Sequence, residues 1–387
     1  MELYFGLCVL LCLADIYVFS QNITCVSSIC KPYMLNGHYV KWPSPKVEAD
    51  YLTKKNYIPK NIIFTRLQTC GNQVFLVSPR YKEGVPFTLS HLKLTGKDQC
   101  YNYVRPYPTL EKSLVGDHKS IVNAIDIYMG QNGILWVLDI GVINTLEEKP
   151  KRECEAKILG IESDSGRIIH TILLRSLICR VRSRLQYLVV EYISNDRPII
   201  YIGDGGTRSI IVWNVKANEG YRVKLPRSST TTCTDSTMDD VFYLALIENS
   251  NITYIYFTYL SSSDMFKVRT KDLRRKINPK CVVDVGRKPC KMILLGSAYG
   301  TVIYFRIKGL NNLYSWDTKE SLLEENVMLV KKSTDCRTIT HIDVDNNGVL
   351  WELESNIEDF VVNTVGCYGA SIILAPIFRQ PAPLQSS

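Results

Sequence analysis

The run with the clearest chemical potential is Asp343-Val344-Asp345-Asn346-Asn347-Gly348, with Glu354 six positions beyond the glycine. Its oxygen-bearing side chains fall at positions one, three, five and twelve, with glycine at six and Leu350 at eight, the spacing of a twelve-residue calcium loop. That loop needs a helix on each side, whereas residues 339–344 and 349–353 alternate like strands. The expectation is therefore a turn between strands rather than a metal site, with Asp343, Asp345, Asn347 and Glu354 as the only metal candidates. A related run at Asp126 carries two extra residues before its glycine, which breaks the ligand spacing.

Other chemistry is sparse. His38, His91, His118, His170 and His341 include no pair at helical metal spacing. There is no Gly-x-Ser-x-Gly elbow, and Gly203-Asp204-Gly205-Gly206 lacks the strand-to-helix setting of a phosphate cradle. Asp139 and Asp343 are the candidates for an acid/base pair, although aspartate also favours turns and strand ends. Two basic clusters, Arg175/Arg180/Arg182/Arg184 and Lys267/Arg269/Lys271/Arg274/Arg275/Lys276, suit either acidic glycans or a solvated face. No cofactor is implied.

The elements that must position these residues read as strands. Short β-branched and aromatic runs bounded by Gly, Asn, Asp and Pro recur at 74–77, 134–140, 199–202, 210–215, 241–247, 252–260, 292–295, 301–307 and 349–353. Only residues 321–329 suggest a helical turn. One unit repeats: Ile125-Asp126-Ile127 followed by Asn132-Gly133-Ile134-Leu135-Trp136 matches Ile342-Asp343-Val344 followed by Asn347-Gly348-Val349-Leu350-Trp351. The two Trp residues are 215 positions apart, equal to five repeats of about 43 residues or four of about 54, both plausible propeller blades. A repeated strand pair favours an all-β propeller over a sandwich.

The chain has 387 residues, 46% hydrophobic and 22% charged, which excludes disorder, collagen and coiled coil. Residues 3–18 form an apolar run broken only by Asp15, followed by a cleavage-compatible Val18-Phe19-Ser20, so residues 1–20 read as a secretory leader. Cleavage after Ala14 is the alternative. No later apolar run reaches the length of a membrane span, so a secreted, extracellular protein without a membrane anchor or nucleic-acid partner is expected. Of 13 cysteines, 11 follow the leader, and structural disulfides are the expectation in an oxidising compartment. Cys154 and Cys179 flank a hairpin turning at 163–166 and are one expected pair; Cys336 with Cys367 is the other. Asn22-Ile23-Thr24 and Asn251-Ile252-Thr253 are glycosylation sequons.

Asn72-Gln73-Val74-Phe75-Leu76-Val77-Ser78-Pro79-Arg80, then Gly84-Val85-Pro86-Phe87, Arg105-Pro106-Tyr107-Pro108 and Leu135-Trp136-Val137-Leu138-Asp139, occur in one order and spacing. Together with Tyr201-Ile202-Gly203-Asp204, Ile211-Val212-Trp213 and Tyr314-Ser315-Trp316-Asp317, they make roughly residues 55–375 resemble the yellow/major royal jelly protein family of insects. The resemblance implies a secreted six-bladed β-propeller, in which the Trp spacing covers four blades. It divides the chain into a signal peptide (1–20), a lead-in (21–54), the propeller (55–376) and a flexible tail (377–387). Family cysteines expected near Gln131, Asn195 and Ser315 are replaced here.

Two function classes follow from the resemblance. One is a non-catalytic propeller with a binding or structural role in cuticle, eggshell, pigmentation or a secreted fluid. The other is an enzyme converting dopachrome in the melanin pathway. Some blood-feeding members of the family bind biogenic amines in the central channel. The matching positions here are Thr340, Asn356 and Glu358, with Glu358 standing where an aromatic residue would stack. The partner implied is a small aromatic amine or catechol-derived ligand.

Overall fold

The structure is a computed structural model that describes residues 32–94, 102–226, 240–249, 252–276 and 282–377. The leader, Asn22, Asn251 and residues 378–387 lie outside the described residues. Six four-stranded antiparallel sheets are arranged as a six-bladed β-propeller. Their innermost strands are Arg66–Cys70, Ala124–Met129, Leu185–Tyr192, Phe242–Asn249, Met292–Ala298 and Thr338–Val344, in blades 1 to 6. Each inner strand touches the next, and that of blade 6 touches that of blade 1, so the ring closes.

Trp136 and Trp351 occupy the second strands of blades 2 and 6, Ile134–Asp139 and Leu350–Ser355. The 215-residue offset is thus four blades. The Asn-Gly turns of both copies match as well. Gly133 and Gly348 take φ of 73° and 78°, a left-handed conformation that glycine adopts without Cβ strain. The sheets pack face to face; between blades 6 and 1, Trp351, Leu353 and Leu374 join Leu67, Val74 and Leu76 in one apolar cluster.

The N-terminal boundary differs from the sequence expectation. Tyr33–Leu35, inside the expected lead-in, pairs antiparallel with Ile372–Ile377 as the outermost strand of blade 6. The two ends of the propeller are therefore stitched into one sheet, which leaves no open seam. A helix over Pro45–Thr53 was also not anticipated, although its signals are present: Pro45 opens it and Ser44 Oγ accepts from Val47 N–H at 3.3 Å. In the region expected to hold a helical turn there is a single 3₁₀ turn, Glu324–Asn326, before an outer strand.

Neither expected disulfide forms: Cys154, Cys179, Cys336 and Cys367 are free thiols. Lys157 lies opposite Leu173, and the ladder runs on through the Leu174 N–H to Ala156 O bond. The chain then turns at Leu177, whose N–H bonds Leu174 O, before it reaches Cys179. Cys154 is buried against Lys157, while Cys179 is exposed. Cys336 and Cys367 are both exposed and unbonded. No described helix is long and apolar enough to cross a membrane.

Candidate functional site

Alternation along the inner strands turns every second side chain toward the propeller axis. Arg66 and Gln68, Asp126 and Tyr128, Tyr187, Tyr243, His341 and Asp343 therefore meet around two axial cavities. The narrower, of about 190 Å³, lies toward the ends of the inner strands and is lined by Gln68, Asp126, Tyr128, His341 and Asp343 among others. The wider, of about 640 Å³, lies toward their starts, where Arg66, Tyr81, Tyr243, Arg306 and Thr340 contribute to its wall. Tyr187 borders both.

The polar groups of the narrow end are bonded to one another across blades. Asp343 Oδ2 accepts from Thr69 N–H and Thr69 Oγ1–H, each at 2.7 Å, and its Oδ1 accepts from Gln68 Nε2 at 3.0 Å. Gln68 Oε1 in turn accepts from Met129 N–H. Asp126 forms an ion pair with Arg66 at 3.1 Å and accepts from Leu188 N–H at 2.7 Å. These bonds tie blades 6, 1, 2 and 3 together. Burial pushes both carboxyls up, each to about 6, against the pull of Arg66 on Asp126 and of Thr69 on Asp343. His341 Nδ1 accepts from Leu67 N–H at 3.4 Å, which places its ring proton on Nε2. Burial and the Arg66 charge keep this imidazole neutral, its pKa well below the usual histidine value.

The wide chamber has a different character. Tyr187 and Tyr243 approach with ring centroids 5.3 Å apart, and the Arg66 guanidinium lies 5.1 Å above the Tyr187 ring. Among the described residues that line it are four arginines (Arg66, Arg152, Arg184 and Arg306) and no aspartate or glutamate. Arg306 comes from the second strand of blade 5, Val302–Ile307, and is 8% exposed. The nearest carboxylate, Glu358, stands 3.8 Å away on a side chain 70% exposed.

The residues singled out in the sequence are distributed unevenly. Thr340 lines the wide chamber and donates its hydroxyl to Leu353 O at 3.1 Å. Glu358 reaches this chamber only through Arg306. Asn356 turns aside, accepting from Ser371 N–H at 2.8 Å and donating to Asp359. Asp343 faces the narrow cavity, but Asp139 does not face the channel. Asp139 is fully buried at the end of its strand, accepts from Val122, Asn123 and Gly141 N–H, and pairs with Lys157 at 3.3 Å. The two are not brought together as an acid/base pair.

The calcium-loop residues also diverge. Asp345 Oδ1 accepts from Asn347 and Val349 N–H and its Oδ2 from Trp351 Nε1, while Glu354 is paired with Lys331 at 2.7 Å. Asp345 thus closes the turn that the strand pattern predicts. The basic clusters are partly neutralised: Arg180 pairs with Glu155, Arg274 with Glu191 and Lys276 with Glu219.

Sequence reading missed Arg66, Tyr187, Tyr243, His341 and Arg306 as channel residues. For the first four a signal existed: polar or aromatic residues at alternate positions in the first strand of a repeat. The copied motif aligned Asp126 with Asp343, but the strand register sets Tyr128 opposite Trp136 as it sets Asp343 opposite Trp351. Tyr128 therefore holds the place of Asp343, and Asp126, opposite Leu138, holds that of His341, opposite Leu353.

The sequence model of the family described as major royal jelly protein matches residues 122–370. The chain is 31% identical to protein yellow of Drosophila yakuba over 138 residues, 33% of this chain and 25% of that protein. With protein yellow of Drosophila melanogaster it shares 30% over 132 residues, 31% and 24% of the two chains. The matched segment thus spans about a quarter of the relatives' length. Solved structures with a similar architecture are remote in sequence. Virginiamycin B lyase from Staphylococcus aureus is 11% identical, with 89% and 99% of the chains covered and a TM-score of 0.45. A DUF4623 family protein from Bacteroides eggerthii is 12% identical, with 90% and 76% covered and a TM-score of 0.46. The family match covers most of blades 2 to 6 and agrees with the six-bladed ring, the paired Asn-Gly turns and the equivalent tryptophans: the chain belongs to the yellow/major royal jelly protein family.

Proposed function

We propose that the protein is a secreted propeller that binds a small aromatic molecule in its wide axial chamber and acts without converting it. The chamber carries this reading: about 640 Å³, bordered by Tyr81, Tyr187 and Tyr243, it has the size and aromatic lining of a small-molecule site. Secretion rests on the apolar leader and on the family resemblance. A binding role is favoured over turnover because Asp343 and Asp126 are saturated by donors from neighbouring strands, and His341 already accepts a backbone N–H. Groups so engaged hold blades together rather than exchange protons with a ligand.

The test is calorimetric titration of the purified protein with neutral, anionic and cationic indoles and catechols, serotonin and dopamine included. It is repeated with Thr340→Trp, which fills the chamber wall. Binding at one site per chain, lost in the variant, is expected. Absence of heat for every compound at micromolar protein refutes the reading. Conversion of dopachrome is the alternative; its loss in the presence of protein, well above a heated control, would establish turnover.

A further inference from the structure

The wide chamber holds one buried cation with unused hydrogen-bonding capacity. Arg306 Nε and Nη1 are both buried and have no hydrogen-bond partner. A buried guanidinium normally has acceptors, because stripping its N–H groups of water without replacement is costly. Arg80 and Arg66 have such acceptors. Arg80, 3% exposed, donates to the carbonyls of Val85, Pro86, Ser113, Ile121 and Val122. Arg66 has Asp126 and the carbonyl of Thr65. Arg306 has only the distant, solvated Glu358.

Resting on the reading of the chamber as a binding site, we propose that Arg306 is an anion anchor and that the chamber's ligand is an aromatic carboxylate. Nε–H with Nη2–H forms one edge of the guanidinium and Nη1–H with Nη2–H the other, and either edge can engage the two oxygens of a carboxylate in parallel. With Nε and Nη1 both unsatisfied, neither edge is filled. Arg66 is already paired with Asp126, and Arg152 and Arg184 are exposed, so Arg306 is the buried arginine of the chamber left to engage a carboxylate. Tyr187 and Tyr243 line the same chamber as Arg306, so a ring attached to the carboxylate has an aromatic wall within the cavity. The same charge disfavours a protonated amine, because no acidic side chain among the described lining residues offsets the arginines.

Three probes of one shape separate the possibilities: indole-2-carboxylate, indole-2-carboxamide and indole-2-methanamine, titrated calorimetrically at pH 7.5. The carboxylate should bind at least about tenfold more tightly than the amide, and the amine most weakly. Arg306→Met should lower carboxylate affinity roughly thirtyfold and leave the amide unchanged. Arg306→Lys, which keeps the charge but not the fork, should give an intermediate loss. Glu358→Gln should raise carboxylate affinity about two- to threefold by removing a competing charge. Circular dichroism and urea unfolding of each variant separate a lost site from a lost fold. Equal binding of carboxylate and amide, unaltered by Arg306→Met, overturns the anchor and leaves the chamber reading standing. Failure of all three probes to bind overturns the anchor, and the chamber reading falls with it if the wider panel of indoles and catechols also gives no heat.

Discussion

Arg306→Met should stabilise the protein, and Arg80→Met, the same substitution at another buried position, should destabilise it severely. At Arg306 the native state holds two buried donor groups without acceptors, each costing about 1–3 kcal/mol. The loose pair with exposed Glu358 returns at most about 1 kcal/mol, and methionine keeps most of the stem's packing. Taken at the lower end of that range, about 1–1.5 kcal/mol for each donor, the two leave a net gain of about 1–2 kcal/mol. At Arg80 the substitution strands five carbonyl acceptors at the junction of blades 1 and 2. Burial lowers the Arg80 pKa to about 10, still high enough for it to be charged at neutral pH. The loss should be about 3–5 kcal/mol, the scale for removing one side of a buried charged network. Urea unfolding is the assay. With a slope of about 3 kcal/mol/M, the midpoint should rise by roughly 0.5 M for Arg306→Met and fall by about 1.3 M for Arg80→Met. A fall of similar size for Arg306→Met would show that this arginine holds the fold together, and would refute its assignment as an unsatisfied group.

Three further outcomes follow from the same geometry. Lys157→Met should cost about 3 kcal/mol in urea unfolding, since it leaves Asp139 charged and fully buried without its cation; an unchanged midpoint would show that the three backbone N–H groups suffice. Asp343 has a folded-state pKa of about 6, raised above its unfolded value of 3.8. Its protonation therefore favours the fold below pH 3.8, and that contribution disappears as pH rises through 6. Asp343→Asn should accordingly be about 2 kcal/mol more costly at pH 4.5 than at pH 7.5, and a pH-independent cost would contradict this. Truncation to begin at Asn36 removes the strand that closes blade 6 and the burial of Tyr33 and Leu35. It should lower stability by roughly 3–5 kcal/mol in urea unfolding, whereas an unaltered midpoint would make the closure dispensable.

The propeller was legible because its signals are local. Alternation, Asn-Gly turns and the repeated Leu-Trp segment each occupy fewer than a dozen residues, and the resemblance supplied the blade number. What joins blade to blade is not local: Asp343 takes its donors from Thr69, 274 positions away. The closing strand Tyr33–Leu35 is too short to stand out before its partner near the other end of the chain is known. Arg306, in Tyr304-Phe305-Arg306-Ile307, reads as a solvated cation at a strand end, and only the closed ring reveals that its guanidinium is buried. The Cys154–Cys179 expectation counted positions from the hairpin turn. It could not register the turn at Leu177, which ends the ladder before Cys179, nor that Cys154 is buried while Cys179 is exposed.

The most direct test of the account is a crystal structure of the protein with indole-2-carboxylate. It should show one molecule in the wide chamber, its ring beside Tyr187 and Tyr243 and its carboxylate oxygens within hydrogen-bond reach of one edge of the Arg306 guanidinium, Nε with Nη2 or Nη1 with Nη2. Ligand density in the narrow cavity or on the outer surface, with the wide chamber empty, would contradict it.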